Sequence, residues 1–169
     1  MQDFQSLFLV REATYEDIPS ILEITKEAFV KYQELAGTDH IAALEETYED
    51  VKKDIDTKVV LIAFENDVPV GSVRVELFPD NTAYLSRFGV KVTSQNNGIG
   101  KSIMNLVDRI MKKKGITQIA LHTSAKITSL VRFYYGRGFY IDSTDKSRGY
   151  VRALLIKEYS QKNEQKVGE

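Results

Sequence analysis

Hydrophobic and polar positions alternate weakly from Phe8 to Glu12, the period of a short strand. Thr14-Tyr15-Glu16-Asp17 follows, a capping box with Asp in place of Glu, and opens a helix with apolar positions at Ile18, Ile21, Leu22, Ile24 and Phe29. The pattern predicts a second helix from about Asp39 to Asp54. There Ile41, Leu44, Tyr48, Val51 and Ile55 form one stripe, with Glu45, Glu46, Glu49 and Asp50 mostly off it. Val59 to Phe64 and Val70 to Phe78 read as strands joined through a hairpin at Asn66-Asp67. Ala83 to Val92 is a third strand, after the turn Pro79-Asp80-Asn81.

The period then changes. Gly98 and Gly100 precede a helix with Ile99, Ile103, Leu106, Val107 and Ile110 on one face. Lys112, Lys113, Lys114 and Gly115 close it, where the helix dipole favours cations. Ile116 to Leu121 is a strand, Ser129 to Tyr135 a short helix, Gly138-Phe139 the start of another strand, and Tyr150 to Ile156 the last. Three consecutive strands imply an antiparallel meander, and helices do not alternate with every strand. The chain therefore reads as a mixed α+β domain rather than a doubly wound one. The crossover through the 98–114 helix favours parallel pairing of the strands on either side of it. A single domain over 1–158 and a polar tail over 159–169 are expected.

Composition narrows the class. The 169 residues are 43% hydrophobic and 28% charged, enough for one packed core. Absence of cysteine removes disulfides, thiolate metal sites and cysteine nucleophiles together. No signal peptide is legible at the start, and nothing approaches the ~18 apolar residues of a membrane span. A cytoplasmic protein without membrane or nucleic-acid partner is expected, given a net charge of -1. That average hides an asymmetry: up to Thr57 there are 14 acids and 5 bases, a net of -9, which leaves +8 to the remainder. Two sites of opposite preference would explain it, and so would solvated acidic helix faces.

The segment Gln95-Asn96-Asn97-Gly98-Ile99-Gly100-Lys101-Ser102 lies between a strand and a helix. Glycines admit close backbone approach, and the unpaired N–H groups of a first helical turn suit an anion such as a phosphate. Gly100-Lys101-Ser102 resembles the end of a P-loop, but that motif needs a glycine where Gln95 stands. A dinucleotide fingerprint would need a third glycine at Ile103.

Val90-x-Val92-x-x-Gln95-x-x-Gly98-x-Gly100 resembles the pyrophosphate-binding motif of the GNAT superfamily of N-acetyltransferases. Val10-Arg11-Glu12-Ala13-Thr14 with Glu16-Asp17-Ile18 is similar to that family's opening, and Phe133-Tyr134-x-x-x-Gly138-Phe139 to its second signature. The resemblance implies a mostly antiparallel sheet of six to seven strands with a parallel, splayed central pair and about four helices. It also implies acetyl-CoA as co-substrate, without a metal. Phe88, Val90, Val92, Gln95, Asn96, Asn97, Gly98, Ile99, Gly100, Lys101 and Ser102 would hold it, with the pantetheine arm along the main chain of Phe88 and Val90. Val90 N–H would meet the oxyanion, and Tyr134, with Tyr135 as fallback, would protonate the leaving thiolate.

Two positions depart from the family pattern. Ile127 stands where an asparagine is common, and Tyr84 where some members carry a glutamate base. Glu34, Glu45, Glu46 and Tyr84 are the candidate bases; His122 ends a strand, and His40 reads as a cap or surface residue. From Glu34 to Asp56 there are eight acids and two bases in the region that roofs the acceptor pocket in the family, which leans toward a cationic amine such as a polyamine. Other readings stay open: a protein N-terminal or lysine acetyltransferase, a non-catalytic acyl-CoA sensor, and a homodimer.

Overall fold

The structure is a computed structural model and describes residues 7–160. Seven strands, β1 (Phe8–Glu12), β2 (Val59–Glu65), β3 (Val68–Leu77), β4 (Thr82–Val90), β5 (Gln118–Ser124), β6 (Tyr140–Asp145) and β7 (Arg152–Glu158), form one sheet in the order β1-β2-β3-β4-β5-β7-β6. Every neighbouring pair is antiparallel except β4 and β5. That exception is the crossover through α3 (Ile99–Lys113). The helices α1 (Ile18–Ala36) and α2 (Tyr48–Thr57) cover one face, and α3 packs on the other with α4 (Thr128–Gly136). The expected fold class is the observed one.

Alternation along each strand sorts the side chains between the two layers. Leu61, Val73, Val75, Leu85, Ile119, Leu121, Ala153 and Leu155 join Ile103, Met104 and Val107 in the larger core under α3. Val60 and Ile62 meet Ile18, Ile21, Ile24 and Val51 in the smaller core under α1 and α2. The intervening positions Arg74, Tyr84, His122 and Arg152 therefore face the α1 side.

The second helix differs from its expectation. Ala42–Glu45 is a 3₁₀ turn, Glu46 is extended, and α2 begins only at Tyr48. Thr47 accounts for the break: its hydroxyl accepts from Asp50 N–H and the Asp50 carboxylate accepts from Thr47 N–H, a second capping box inside the predicted helix. Extended Glu46 is thereby free to reach the sheet. Arg74, fully buried in β3, donates both terminal nitrogens to the Glu46 carboxylate and one of them also to Asp54 Oδ2 at 2.9 Å; Arg87 Nε adds a bond to Glu46 at 3.3 Å. This ion cluster fastens the α2 region to the sheet.

Boundaries also shift elsewhere. β4 ends at Val90, and Val92–Ser94 forms a 3₁₀ turn rather than the end of the strand. Tyr159, placed in the tail by its sequence, is buried, and its hydroxyl donates to Asp108 Oδ1 at 2.8 Å. The domain therefore continues past residue 158, and the tail from 161 onward lies outside the described residues.

Replacing one partner of a buried ion pair strands the other charge. Glu46→Ala should lower stability by about 3 kcal/mol, a drop of roughly 6–12 °C in Tm for a domain of this size, read by thermal unfolding. Unfolding unchanged from the wild type would show that the cluster adds nothing to the fold.

Candidate active site

β4 and β5 pair only through Thr82↔Gln118, Ala83↔Ile119 and Tyr84↔Ala120. Beyond Tyr84 the two strands part. A bulge in β4 marks the opening: the register with β3 shifts between Ser72 and Arg74, and Arg87 takes a left-handed φ of 53°. Two residues further, Gly89 lies directly under α1, where an added Cβ would come within 2.8 Å of the Ala28 methyl. Only a glycine lets the helix rest on the strand there.

Past the bulge the ladder orientation is fixed. Gly71 is opposite Val90, while Lys91 N–H donates to Val70 O at 2.7 Å. In an antiparallel ladder that bond makes Gly71 and Val90 a non-hydrogen-bonded pair. The N–H and C=O of Val90 thus point away from β3, into the gap beside β5. Gln95 Nε2 donates to Val90 O at 3.0 Å, which ties the glycine turn to the strand end.

The gap is the floor of a cleft of about 1520 Å³ that runs through to the α1 face of the sheet. The turn before α3 forms one wall. Asn96 and Gly98 have φ of 66° and 94°, and Gly98 caps α3 without a side chain of its own. The first bond within the helix runs from Ser102 N–H to Gly98 O at 3.0 Å, and Asn97 Oδ1 accepts weakly from Ile99 N–H at 3.4 Å. Gly100 and Lys101 N–H receive no acceptor from the helix and present an anion site at its positive end.

Phe88, Val90, Gln95, Asn96, Gly98, Ile99, Gly100 and Lys101 all line the cleft. Val92, Asn97 and Ser102 do not. Val92 is exposed once the strand has ended, the Asn97 amide is bonded to Glu65, and Ser102 Oγ donates back to Gly98 O at 3.2 Å. The family resemblance named these three; the end of the strand and local hydrogen bonds turn their side chains elsewhere. Arg132, Arg137 and Lys101 bring positive charge to the cleft from α4, its C-terminal cap and the start of α3, matching the basic excess of the second half of the sequence.

Tyr134 lines the cleft from α4 with only 5% of its surface exposed. It packs edge-on against Phe88, Phe133 and Phe139 at centroid distances of 6.2, 5.4 and 5.6 Å. Burial, with no charged or hydrogen-bonding neighbour contributing, raises its phenol well above the ordinary tyrosine range. Tyr135, the fallback acid, is about half exposed on the outer side of the helix and outside the cleft. Ile127, where the family pattern has asparagine, lines the cleft as a buried apolar side chain.

On the α1 face, Tyr84 Oη and His122 Nδ1 are 2.6 Å apart. Burial raises the Tyr84 pKa; burial first, and then the charge of Arg152, lowers that of His122. Tyr32 stands opposite: its hydroxyl accepts from Ser124 N–H at 2.8 Å and lies 3.2 Å from Tyr150 Oη. Of the other candidate bases, Glu46 is held by Arg74 and Arg87, while Glu34 and Glu45 sit at the surface beside Lys31 and His40. His40 lines the outer cleft, with Nδ1 3.3 Å from Glu45. The sequence placed His122 at a strand end but gave no sign of its pairing with Tyr84, which depends on the β4–β5 register.

The acids of the α2 region are mostly engaged within the protein. Glu46 and Asp54 bind Arg74, Asp50 caps α2, and Asp56 accepts from Tyr15. Of the eight between Glu34 and Asp56, Asp54 alone lines the cleft. The negative run is chiefly structural and surface charge.

Comparison with known proteins agrees with this geometry. Residues 19–139 match the model of the acetyltransferase (GNAT) family. A spermidine N(1)-acetyltransferase of Thermoplasma acidophilum is 26% identical over 148 residues, covering 82% of this chain and 91% of that protein. An uncharacterised Bacillus subtilis protein, YyaT, is 28% identical over 151 residues, covering 89% and 95%. Among solved structures, the PaiA N-acetyltransferase of Thermoplasma acidophilum in complex with coenzyme A superimposes with a TM-score of 0.79 at 24% identity, covering 90% of this chain and 99% of that one. The ribosomal-protein-S18-alanine N-acetyltransferase of Escherichia coli reaches 0.76 at 12% identity, covering 94% and 98%. A parted parallel pair, a side-chain-free helix cap in the gap and a matching family model converge: the chain belongs to the acetyltransferase (GNAT) family and is an acyl-CoA-dependent N-acetyltransferase.

Proposed function

We propose that this chain transfers the acetyl group of acetyl-CoA to a primary amine by direct attack, with Val90, Tyr134 and the Tyr84–His122 pair as the working groups. The observation that carries the reading is the unpaired edge of Val90 in the gap between β4 and β5, bordered by the open N–H groups at the start of α3. The residues present fit the co-substrate. Gly100 and Lys101 N–H, with Lys101, Arg132 and Arg137 near them, suit its phosphates, and the exposed edge of β4 suits its amide-bearing arm. When bound, acetyl-CoA supplies an activated carbonyl and a thiolate leaving group.

Val90 N–H donates to the carbonyl oxygen as negative charge develops there. Tyr134 delivers its proton to the departing sulfur. A phenol of raised pKa is fully protonated at neutral pH, and aromatic packing holds the ring where it lines the cleft. Tyr84 accepts a proton from the incoming ammonium as its own passes to His122 Nδ1 across the 2.6 Å bond, leaving a neutral amine and an imidazolium. The lowered pKa of His122 keeps the imidazole neutral, and so receptive, at pH 7. No enzyme nucleophile is needed, in keeping with a chain without cysteine.

A cationic acceptor is the second reading. Its support is the relative that carries the name spermidine N(1)-acetyltransferase, together with Asp54 and Glu76 in the cleft lining.

Two measurements test the mechanism. Tyr134→Phe should lower kcat by about ten- to a hundredfold while the KM for acetyl-CoA and the melting shift given by CoA stay near wild type; an unchanged kcat removes the tyrosine from proton transfer. The His122 limb of the kcat/KM profile should lie on the acid side of 6.5, the ordinary histidine value. Rate is retained above that limb and lost as the imidazole protonates, and His122→Gln should abolish it. A limb that survives the substitution assigns the base elsewhere.

A further inference from the structure

The α1 face of the sheet holds two buried arginines, and the protein treats them in opposite ways. Arg74 is fully buried, and its charge is matched by Glu46 and Asp54 at the two terminal nitrogens, with Nε left unpartnered. Arg152, at the start of β7, is only 8% exposed, yet no carboxylate comes within 4.0 Å of it among the described residues. Its cross-strand neighbours are Ser124 on β5 and Asp145 on β6. Asp145 is exposed, and its Oδ1 is taken up by the N–H and hydroxyl of Ser147 at 3.0 and 2.7 Å. A guanidinium removed from water without an anion is costly. Arg152 lines the cleft, close enough to His122 and Tyr84 to lower the pKa of the one and moderate that of the other. Arg148, in the loop before β7, lines the same end and acts on the same two groups with the same sign. Asp145 acts on His122 with the opposite sign, so two arginines stand against one carboxylate at the acceptor end of the cleft, beside the proposed proton-accepting pair.

Resting on the proposed acetyl transfer, we infer that the acceptor is an amine that also carries an anionic group, a carboxylate in the first instance, which Arg152 and Arg148 bind while the amine lies against Tyr84 and His122. An amino-acid-like zwitterion satisfies both halves. Its carboxylate supplies the charge Arg152 lacks, in a planar geometry that a guanidinium matches with two parallel bonds. Its amine falls near the proton-accepting pair because Arg152 and His122 lie on one face of adjacent strands, diagonal to each other across the Ser124↔Arg152 and His122↔Leu154 register. A polyamine would place a second positive charge at this end.

The test uses matched acceptors: amino acids and the amines left by their decarboxylation, lysine against cadaverine and phenylalanine against phenethylamine, with aminophosphonate analogues as a third arm and spermidine as a fourth. Thiol release from acetyl-CoA is measured for each. The carboxylated member of a pair should be preferred by about tenfold or more in kcat/KM, and Arg152→Gln should collapse that ratio toward one, chiefly through KM. Preference for the phosphonate would keep the anion site but assign it to phosphate-like groups. A preference for spermidine or the decarboxylated amines overturns the proposal. So does an Arg152→Gln variant that lowers all acceptors equally, which would make the arginine a tuner of His122. If Arg152→Gln does not fold, Arg148→Gln is to shift the same ratio in the same direction, and an unmoved ratio counts against the site. Failure of every amine while CoA still raises Tm would count against the transfer reading itself, a distinct result from transfer without carboxylate preference.

Discussion

Everything at the site depends on β4 and β5 being hydrogen-bonded for three residue pairs and no further. A backbone edge left unpaired inside a domain is expensive unless something else satisfies it. Here the opening is enforced rather than tolerated. The bulge at Arg87 and Phe88 turns β4, the Ala28 methyl presses on Gly89, and Gln95 ties down the Val90 carbonyl, so the strand cannot relax back onto β5. One polar group, Val90 N–H, is thereby left open to the cleft, at a place where the start of α3 offers more donors of the same kind. The gap converts a defect of sheet pairing into a binding surface.

The sheet also divides the chemistry in two. Groups suited to phosphates and to the leaving sulfur lie toward α3 and α4, with Tyr134 in the larger core. Groups suited to the acceptor, namely Tyr84, His122, Tyr32 and Arg152, lie toward α1. In the proposed transfer the two sides meet where the strands part, so neither substrate would have to pass the other.

Much of this was legible in residue order. The spacing of Gln95, Gly98 and Gly100, the change from a two-residue to a helical period and the crossover that follows located both the anion cradle and the parallel pair. The resemblance of Phe133-Tyr134-x-x-x-Gly138-Phe139 to the family's second signature singled out Tyr134, which the structure places in the cleft lining. Other features were hidden because long-range pairing decides them. Thr47 and Asp50 carry a capping signature, but the continuous apolar stripe around them masks it and predicts a helix across the break. Val92 and Ser102 have suitable types at suitable spacings, and only the strand end and a bond back to Gly98 remove them. The two arginines did leave a signal: each is a charge set directly between apolar neighbours, in Val73-Arg74-Val75 and Val151-Arg152-Ala153. What the sequence withheld was which of the two had an internal counterion.

The contact between Ala28 and Gly89 has a consequence for how such a chain can change over evolution. With only the Ala28 methyl between helix and strand at that point, α1 has no slack in the direction of the sheet, and any enlargement of either residue would push against the segment that leads to Val90. A change of acceptor that leaves this seat intact would have to come from the loops at the rim of the cleft.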